Sequence, residues 1–410
     1  CHVMSTPFPW MSEELAALES AGLRRARLVV RPFADGACEI EGRRLWNFAG
    51  NDYLGLAGDP RVVAAAQAAL AESGVGARAS ALVAGRSEWH ARLEQTLAAF
   101  EGQEAAILFP TGYAANVGII AALVDEHDVV FCDRLNHASL IDGCRLSGAK
   151  LRVFRHSELE TLERELHKAA EARRRLIVTD AVFSMDGDVA PLRELCDLAE
   201  RFQADLLVDE AHGTGVFGEQ GRGVCESLDV ESRVAVRVGT LSKAIGTLGG
   251  FVAGRQSLVD WLWNKARTQV FSTALSPAIC AAATTAVEII RSEPDRRAKL
   301  WRNCEFVRQE LDAVLRPSES SAVRDSDQAV LLRLQYGRSV GPIIPILLGD
   351  PDAAVAAQRK LEDRGCLVAA IRSPTVPQGT SRLRISLSAA HDESALQTLV
   401  GALQEVLSVS

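Results

Sequence analysis

From residue 61 onward, alanine-rich stretches of helical period alternate with short apolar runs, and few folds satisfy that pattern. Residues 61–72 and 88–100 read as helices, the second with Leu93, Leu97 and Phe100 at helical spacing. Strands are expected at 105–109, 129–132, 151–154, 176–179, 206–208, 234–239 and 250–253. Helices are expected at 158–174, ending in the run Arg173-Arg174-Arg175, and at 192–202. Helices between successive strands act as crossovers, so the strands should run mostly parallel with helices on both faces. Beyond the helices of 277–315 the order changes to a polar loop at 316–322, a strand at 343–347 and a helix at 353–364. Strands at 367–371 and 383–387 and a helix at 393–407 complete it. The expected α/β fold has an N-terminal segment (1–56), a large domain with a mostly parallel central sheet (57–290) and a smaller α+β C-terminal domain (291–410).

The chain has 410 residues, 48% hydrophobic and 24% charged, enough to bury a sizeable core. Its net charge of −8, with no basic cluster interleaved with aromatics, argues against nucleic acid as a partner. No run of 18 or more apolar residues occurs, so no membrane span is expected. Nine cysteines are scattered singly without a CxxC, which disfavours a metal site or a disulfide framework and suits a reducing cytoplasm. The start, Cys1 to Ser5, lacks the pattern of a signal peptide, and Met4 is a candidate native first residue.

Chemistry concentrates at Lys243, in Val238-Gly-Thr-Leu-Ser-Lys243-Ala-Ile-Gly-Thr-Leu-Gly-Gly250. An amine desolvated among small residues has a lowered pKa and can form a Schiff base. A lone Ser-Lys pair is ordinarily a surface loop, but the upstream segment Asp209-Glu-Ala-His212-Gly-Thr-Gly215 changes the reading. Asp209 ends a short buried strand, and open α/β sheets bind ligands outside the carboxyl ends of their strands. Pyridoxal phosphate needs this set of groups: a lysine for the Schiff base, a carboxylate for the pyridinium nitrogen and donors for the phosphate. Thr111-Gly112-Tyr113 opens a helix after a strand, where free amides suit a phosphate, and Thr240 can add a hydroxyl. His137 and Ser184 follow other strands, His137 able to stack on a flat ring and Ser184 to reach a phenolic oxygen.

Taken together, the motifs resemble the α-oxoamine synthase family of fold-type I pyridoxal-phosphate enzymes. The matching pieces include Asn51-Asp-Tyr-Leu-Gly-Leu56, Asn136-His137-Ala-Ser-Leu140, Val182-Phe-Ser184-Met-Asp-Gly-Asp188, Asp209 to Gly215, Gly239 to Lys243 and Phe271-Ser-Thr273-Ala-Leu275. They run from about residue 45 to 395. The resemblance implies that Lys243 carries the cofactor and moves protons, that Asp209 holds the pyridinium and that His212 and Ser184 meet the phenolic oxygen. It also implies that His137 stacks on the ring and that Gly112, Tyr113 and Thr240 bind phosphate. Thr273 would reach the phosphate of the other subunit, which implies a homodimer with its active site at the interface. Arg372, helped by Asn51, would bind the amino-acid carboxylate, with Thr375 in the same substrate-binding stretch. Arg25, or its neighbours Arg24 and Arg27, would meet the acyl substrate.

One departure is the looser match of residues 74–86, where Arg86 replaces a common Asn or Asp. Within the family, residues 371–385 are most similar to the branch that condenses L-alanine with a pimeloyl thioester, on coenzyme A or a carrier protein, with loss of carbon dioxide in biotin synthesis. A sibling using glycine is the nearest alternative. An aminotransferase fits the stretch 184–188 poorly, and intact Lys243, Asp209 and His212 speak against a non-catalytic partner subunit.

Overall fold

The computed structural model describes residues 8–25, 27–314 and 339–407, so the Met4 start and the polar loop at 316–322 lie outside the described residues. Near the N-terminus β1 (Arg31–Pro32), β2 (Ala37–Ile40) and β3 (Arg43–Asn47) form an antiparallel ribbon. Seven strands follow: β4 (Ala105–Phe109), β5 (Val129–Asp133), β6 (Lys150–Phe154), β7 (Arg175–Asp180), β8 (Asp205–Asp209), β9 (Val236–Thr240) and β10 (Gly250–Gly254). They form one sheet in the order β4-β10-β9-β8-β7-β5-β6, in which β10 alone runs opposite to the other six strands. Residues 241–249, which join β9 to β10, contain no helix, and this short link reverses the chain.

Side chains of the strands alternate between two cores. Val129, Phe131, Ile177, Leu206 and Val208 enter one, while Val130, Cys132, Leu176, Val178 and Leu207 enter the other. Burial on both faces is why these strands read as unbroken apolar runs. The helix expected at 158–174 stops earlier, as Leu159–Lys168. The arginine run is not its end: Arg173 turns back to Asp125 and Asp128 (2.6 and 2.9 Å), and Arg175 already begins β7.

The C-terminal part holds β11 (Ile343–Gly349), β12 (Cys366–Leu367), β13 (Ala369–Ile371) and β14 (Ser381–Ser386). An antiparallel sheet has the order β11-β14-β13, with the helices Pro351–Glu362 and Glu393–Leu407 packed nearby. The single strand expected at 367–371 is therefore two. β12 pairs in parallel with β3, Cys366 opposite Trp46, and the chain changes sheets at Val368 before β13 joins β14. Segment 48–56 runs along the end of β14: the Ser386 amide donates to the Phe48 carbonyl (2.7 Å) and Ala389 to Tyr53 (2.8 Å). No helix among the described residues is long and apolar enough to cross a membrane.

The carboxyl ends of β4, β5, β7, β8 and β9 share one edge with the start of β10, where Gly250 lies opposite both Phe109 and Thr240. A Cβ on Gly250 would stand 2.6 Å from the Thr111 carbonyl oxygen and 2.8 Å from Gly112 Cα. Both neighbours are backbone and cannot rotate away. Gly250→Ala should therefore destabilise the fold by about 1–3 kcal/mol, the usual range for overpacking, measured as a lower urea midpoint. An unchanged midpoint would mean that the Thr111 turn yields freely.

Candidate active site

Lys243 occupies the tight link between β9 and β10. The Leu241 amide donates to the Gly249 carbonyl (3.0 Å), Thr247 to Leu241 (2.8 Å) and Gly246 to Lys243 itself (2.8 Å). The Lys243 ammonium donates to His212 Nε2 at 2.8 Å. Burial is the main cause that lowers its pKa to about 8; Asp209 and Asp180 oppose the shift and Arg384 adds to it. A fraction of the amine is thus neutral near physiological pH, as a nucleophile requires.

His212 Nδ1 lies 2.7 Å from the Tyr53 hydroxyl. Burial, followed by the charges of Lys243 and Arg384, pushes the His212 pKa well down. The ring is therefore neutral: Nε2 accepts from Lys243, and Nδ1 carries the proton it gives to Tyr53. Tyr53 in turn donates to Asn51 Oδ1 (3.3 Å). Arg384 closes the chain, donating to Asn51 Oδ1 (3.2 Å), Tyr53 (3.4 Å) and the Ser184 carbonyl (2.6 Å). Neither Tyr53 nor Arg384 was singled out from sequence. The available signal was an arginine within β14, all six of whose residues are buried.

Asp209 ends β8 directly opposite Asp180 of β7. Asp209 accepts from the Ala211 amide (2.8 Å) and from Asn116 Nδ2 (2.6 Å). Burial, then the Asp209 charge, drives the Asp180 carboxyl well above the usual range. Asp180 accepts from the His137 amide at 2.6 Å and so ties the loop after β5 to the end of β7. His137 caps the helix Ala138–Leu146: its Nδ1 accepts from the Ser139 amide (3.3 Å), which leaves Nε2 to carry the proton. Burial and Lys243 lower the His137 pKa, against the opposing pull of Asp209 and Asp142. Asp180 and Asn116 were also passed over, because a strand-end acid and a small-residue helix have ordinary structural uses.

Thr111 caps the helix Gly112–Leu123 by accepting from the Ala114 amide (3.0 Å). Among the described residues no acceptor takes the amides of Gly112 and Tyr113. A Cβ on Gly112 would reach Thr240 Oγ1 at 3.2 Å, so these donors and the Thr240 hydroxyl share one small cradle. Buried Asn116 Oδ1 has no partner, another sign of a polar ligand here. A carboxylate, a softened lysine and an anion cradle fit the groups that pyridoxal phosphate requires.

Of the remaining expected residues, the side chains of Tyr113, Thr273, Arg372, Arg25 and Thr375 lie outside this hydrogen-bonded cluster. The Tyr113 hydroxyl donates to Asp142 (2.6 Å). Thr273 is exposed and bridged to Ser80. Arg372 donates to the Gly22 carbonyl, and Arg25 to the Thr375 hydroxyl at 3.1 Å, which joins the N-terminal segment to the loop after β13. Ser184 enters the network through its carbonyl.

The electrostatics give signed expectations for the cofactor-free protein. Asp209→Asn removes a charge that holds the Lys243 pKa up, so that pKa should fall below about 8; Arg384→Met should raise it. The pH dependence of selective amine modification at Lys243, located by peptide mass spectrometry, measures both. A pKa unmoved in both variants would refute this account of the lysine.

Comparison with known proteins places the chain. The aminotransferase class I and II family model matches residues 43–403. An 8-amino-7-oxononanoate synthase of Anaeromyxobacter dehalogenans is 48% identical over 97% of this chain and 95% of its own length. One from Alkalilimnicola ehrlichii is 48% identical over 97% of each. Among solved structures, a serine palmitoyltransferase of Sphingomonas wittichii superposes with a TM-score of 0.87 at 34% identity, covering 100% of this chain and 99% of the other. A serine palmitoyltransferase from S. paucimobilis, solved with bound PLP-myriocin, gives 0.89 at 32% identity over 98% of both chains. The 8-amino-7-oxononanoate synthase of Francisella tularensis gives 0.73 at 28% identity, covering 89% of this chain and 98% of the other. The chain belongs to the aminotransferase class I and II family, among the 8-amino-7-oxononanoate synthases.

Proposed function

We propose that the protein is a pyridoxal-phosphate-dependent acyltransferase that joins L-alanine to a pimeloyl thioester. The products are 8-amino-7-oxononanoate, the free thiol and carbon dioxide, in biotin synthesis. The observation that carries this reading is the contact of Lys243 with His212, on the edge where Asp209 and the free amides of Gly112 and Tyr113 converge. The near-full-length identity of 48% to 8-amino-7-oxononanoate synthases selects among reactions that the shared fold leaves open, since serine palmitoyltransferases superpose as well.

When bound, pyridoxal phosphate supplies a ring that delocalises the negative charge left by loss of the substrate's Cα proton. Gly112, Tyr113 and Thr240 would hold its phosphate, Asp209 its pyridinium nitrogen, and His212 with Ser184 its phenolic oxygen. Lys243 is the amine that holds the cofactor and the base for the Cα proton, a task suited to a pKa of about 8. His137 would meet the cofactor's ring, with a protonated Nε2 to offer to the thioester carbonyl. Arg384 holds Asn51 and Tyr53 at the back of His212. Arg372 binds the amino-acid carboxylate by exchanging its bond to Gly22. Arg25, joined to Thr375, would meet the acyl substrate.

The active unit is a cytoplasmic homodimer in which Thr273 serves the phosphate of the second subunit. Phe271, Val75 and Val83 are 72, 79 and 79% exposed, near the bridge that links Thr273 to Ser80. Apolar exposure of that kind suits coverage by a second copy.

Mass spectrometry of products from alanine, glycine or serine with pimeloyl-CoA tests the reaction. Alanine should give 8-amino-7-oxononanoate and be preferred over glycine by about 10- to 200-fold, the worth of one methyl group in a fitted pocket. A preference for glycine would assign the protein to a sibling reaction. Asp209→Asn should lose the cofactor's visible absorption together with nearly all turnover.

A further inference from the structure

His156, just beyond β6, has no part in the chemistry above, yet its ring lies between two carboxylates. Nδ1 is 3.1 Å from Asp133 Oδ2 and Nε2 is 2.8 Å from Asp188 Oδ2. The three side chains are 14, 3 and 13% exposed for His156, Asp133 and Asp188. We propose that His156 is a positioning residue: by bridging Asp133 and Asp188 it locks the loop that presents His137 to the turn that seats Arg384. The proposal rests on the roles given to His137 and Arg384 above.

Asp133 ends β5 and opens the loop to His137. It also accepts from the amides of Leu135 (2.8 Å) and Ser157 (3.1 Å), so the loop is fastened at its base. Asp188 closes the turn after β7, in which Gly187 donates to the Phe183 carbonyl (2.7 Å) and Phe183 to that of Asp188 (3.0 Å). The outer side of this turn belongs to the C-terminal sheet. Arg384 donates to the Ser184 carbonyl, Arg382 to Asp186 and to the Met185 carbonyl (3.3 Å), and Val340 to Gly187 (2.7 Å). The ring of His156 also packs edge-on against Phe183, with centroids 4.3 Å apart.

Donating to a carboxylate at each end requires both ring nitrogens to carry protons, so the clasp is an imidazolium. Burial opposes that charge, but Asp133 and Asp188 outweigh it and hold the pKa up to about 9. These two carboxylates are the charged groups in contact with the ring; Arg382 acts on the same turn through Asp186. Because the folded pKa is raised, the stabilisation is full below the unfolded value of about 6.5 and disappears as pH rises through about 9.

The test is hydrogen–deuterium exchange on the holoenzyme, followed in peptides covering 133–140 and 183–190. In His156→Gln both segments should exchange faster while the sheet strands do not. The kcat should fall about 10- to 100-fold, the cost of small misplacements of reacting groups. Asp188→Asn, a milder change, leaves His156 one carboxylate and should move the alkaline limb of the kcat profile to lower pH. A purely structural contact would not shift that limb. Unchanged exchange in either segment of His156→Gln, uniform loosening of the whole sheet, or an unmoved limb in Asp188→Asn would each overturn the proposal. If the wild type made no product from alanine and pimeloyl-CoA, the functional reading would fail, and the exchange pattern would still judge the clasp.

Discussion

An amine taken out of water resists its charge, and the architecture is arranged around one amine for which that resistance is only partly offset. Lys243 faces two carboxylates, Asp209 and Asp180, and one guanidinium, Arg384. Had the carboxylates acted alone, the ammonium would be locked in its charged form; burial and Arg384 keep it within reach of neutrality. The setting depends on the register of β7 with β8, which puts Asp180 opposite Asp209, and on β9 beside them, which delivers the lysine.

The site also draws together parts of the chain that are distant in sequence. The core strands supply Asp180 and Asp209 and the link between β9 and β10 supplies Lys243, while Tyr53 comes from the segment after β3 and Arg384 from β14. The backbone bonds of Phe48 and Tyr53 to the C-terminal sheet make these two contributions a single block. Segment 48–56 and β14 are thus fastened to each other as well as to the core. A disturbance in either would be felt at His212 through the hydroxyl of Tyr53.

Much of this was legible in the sequence where one local pattern carried the information. The parallel sheet was readable because its strands are buried on both faces and leave apolar runs such as Leu206 to Val208. Asp209, His212 and Lys243 were readable because their motifs are contiguous. Features set by tertiary pairing left no such mark. Cys366 to Ile371 is an unbroken apolar run, so its division between two sheets has no turn residue to announce it. The arginine run that leads into β7 looked like a helix end because the partners of Arg173, Asp125 and Asp128, lie far upstream. Asp180 and Arg384 carry meaning only through neighbours that the fold brings to them.

The reversal of β10 has a kinetic side. Thr240 and Gly250 are paired across adjacent strands, so the segment bearing Lys243, residues 241–249, is anchored at both ends. Under the proposed function, a side chain tethered in this way would keep a high effective concentration at the site whether or not it holds the cofactor. The same group would then be able to bind, move a proton and return without the protein having to search for it again.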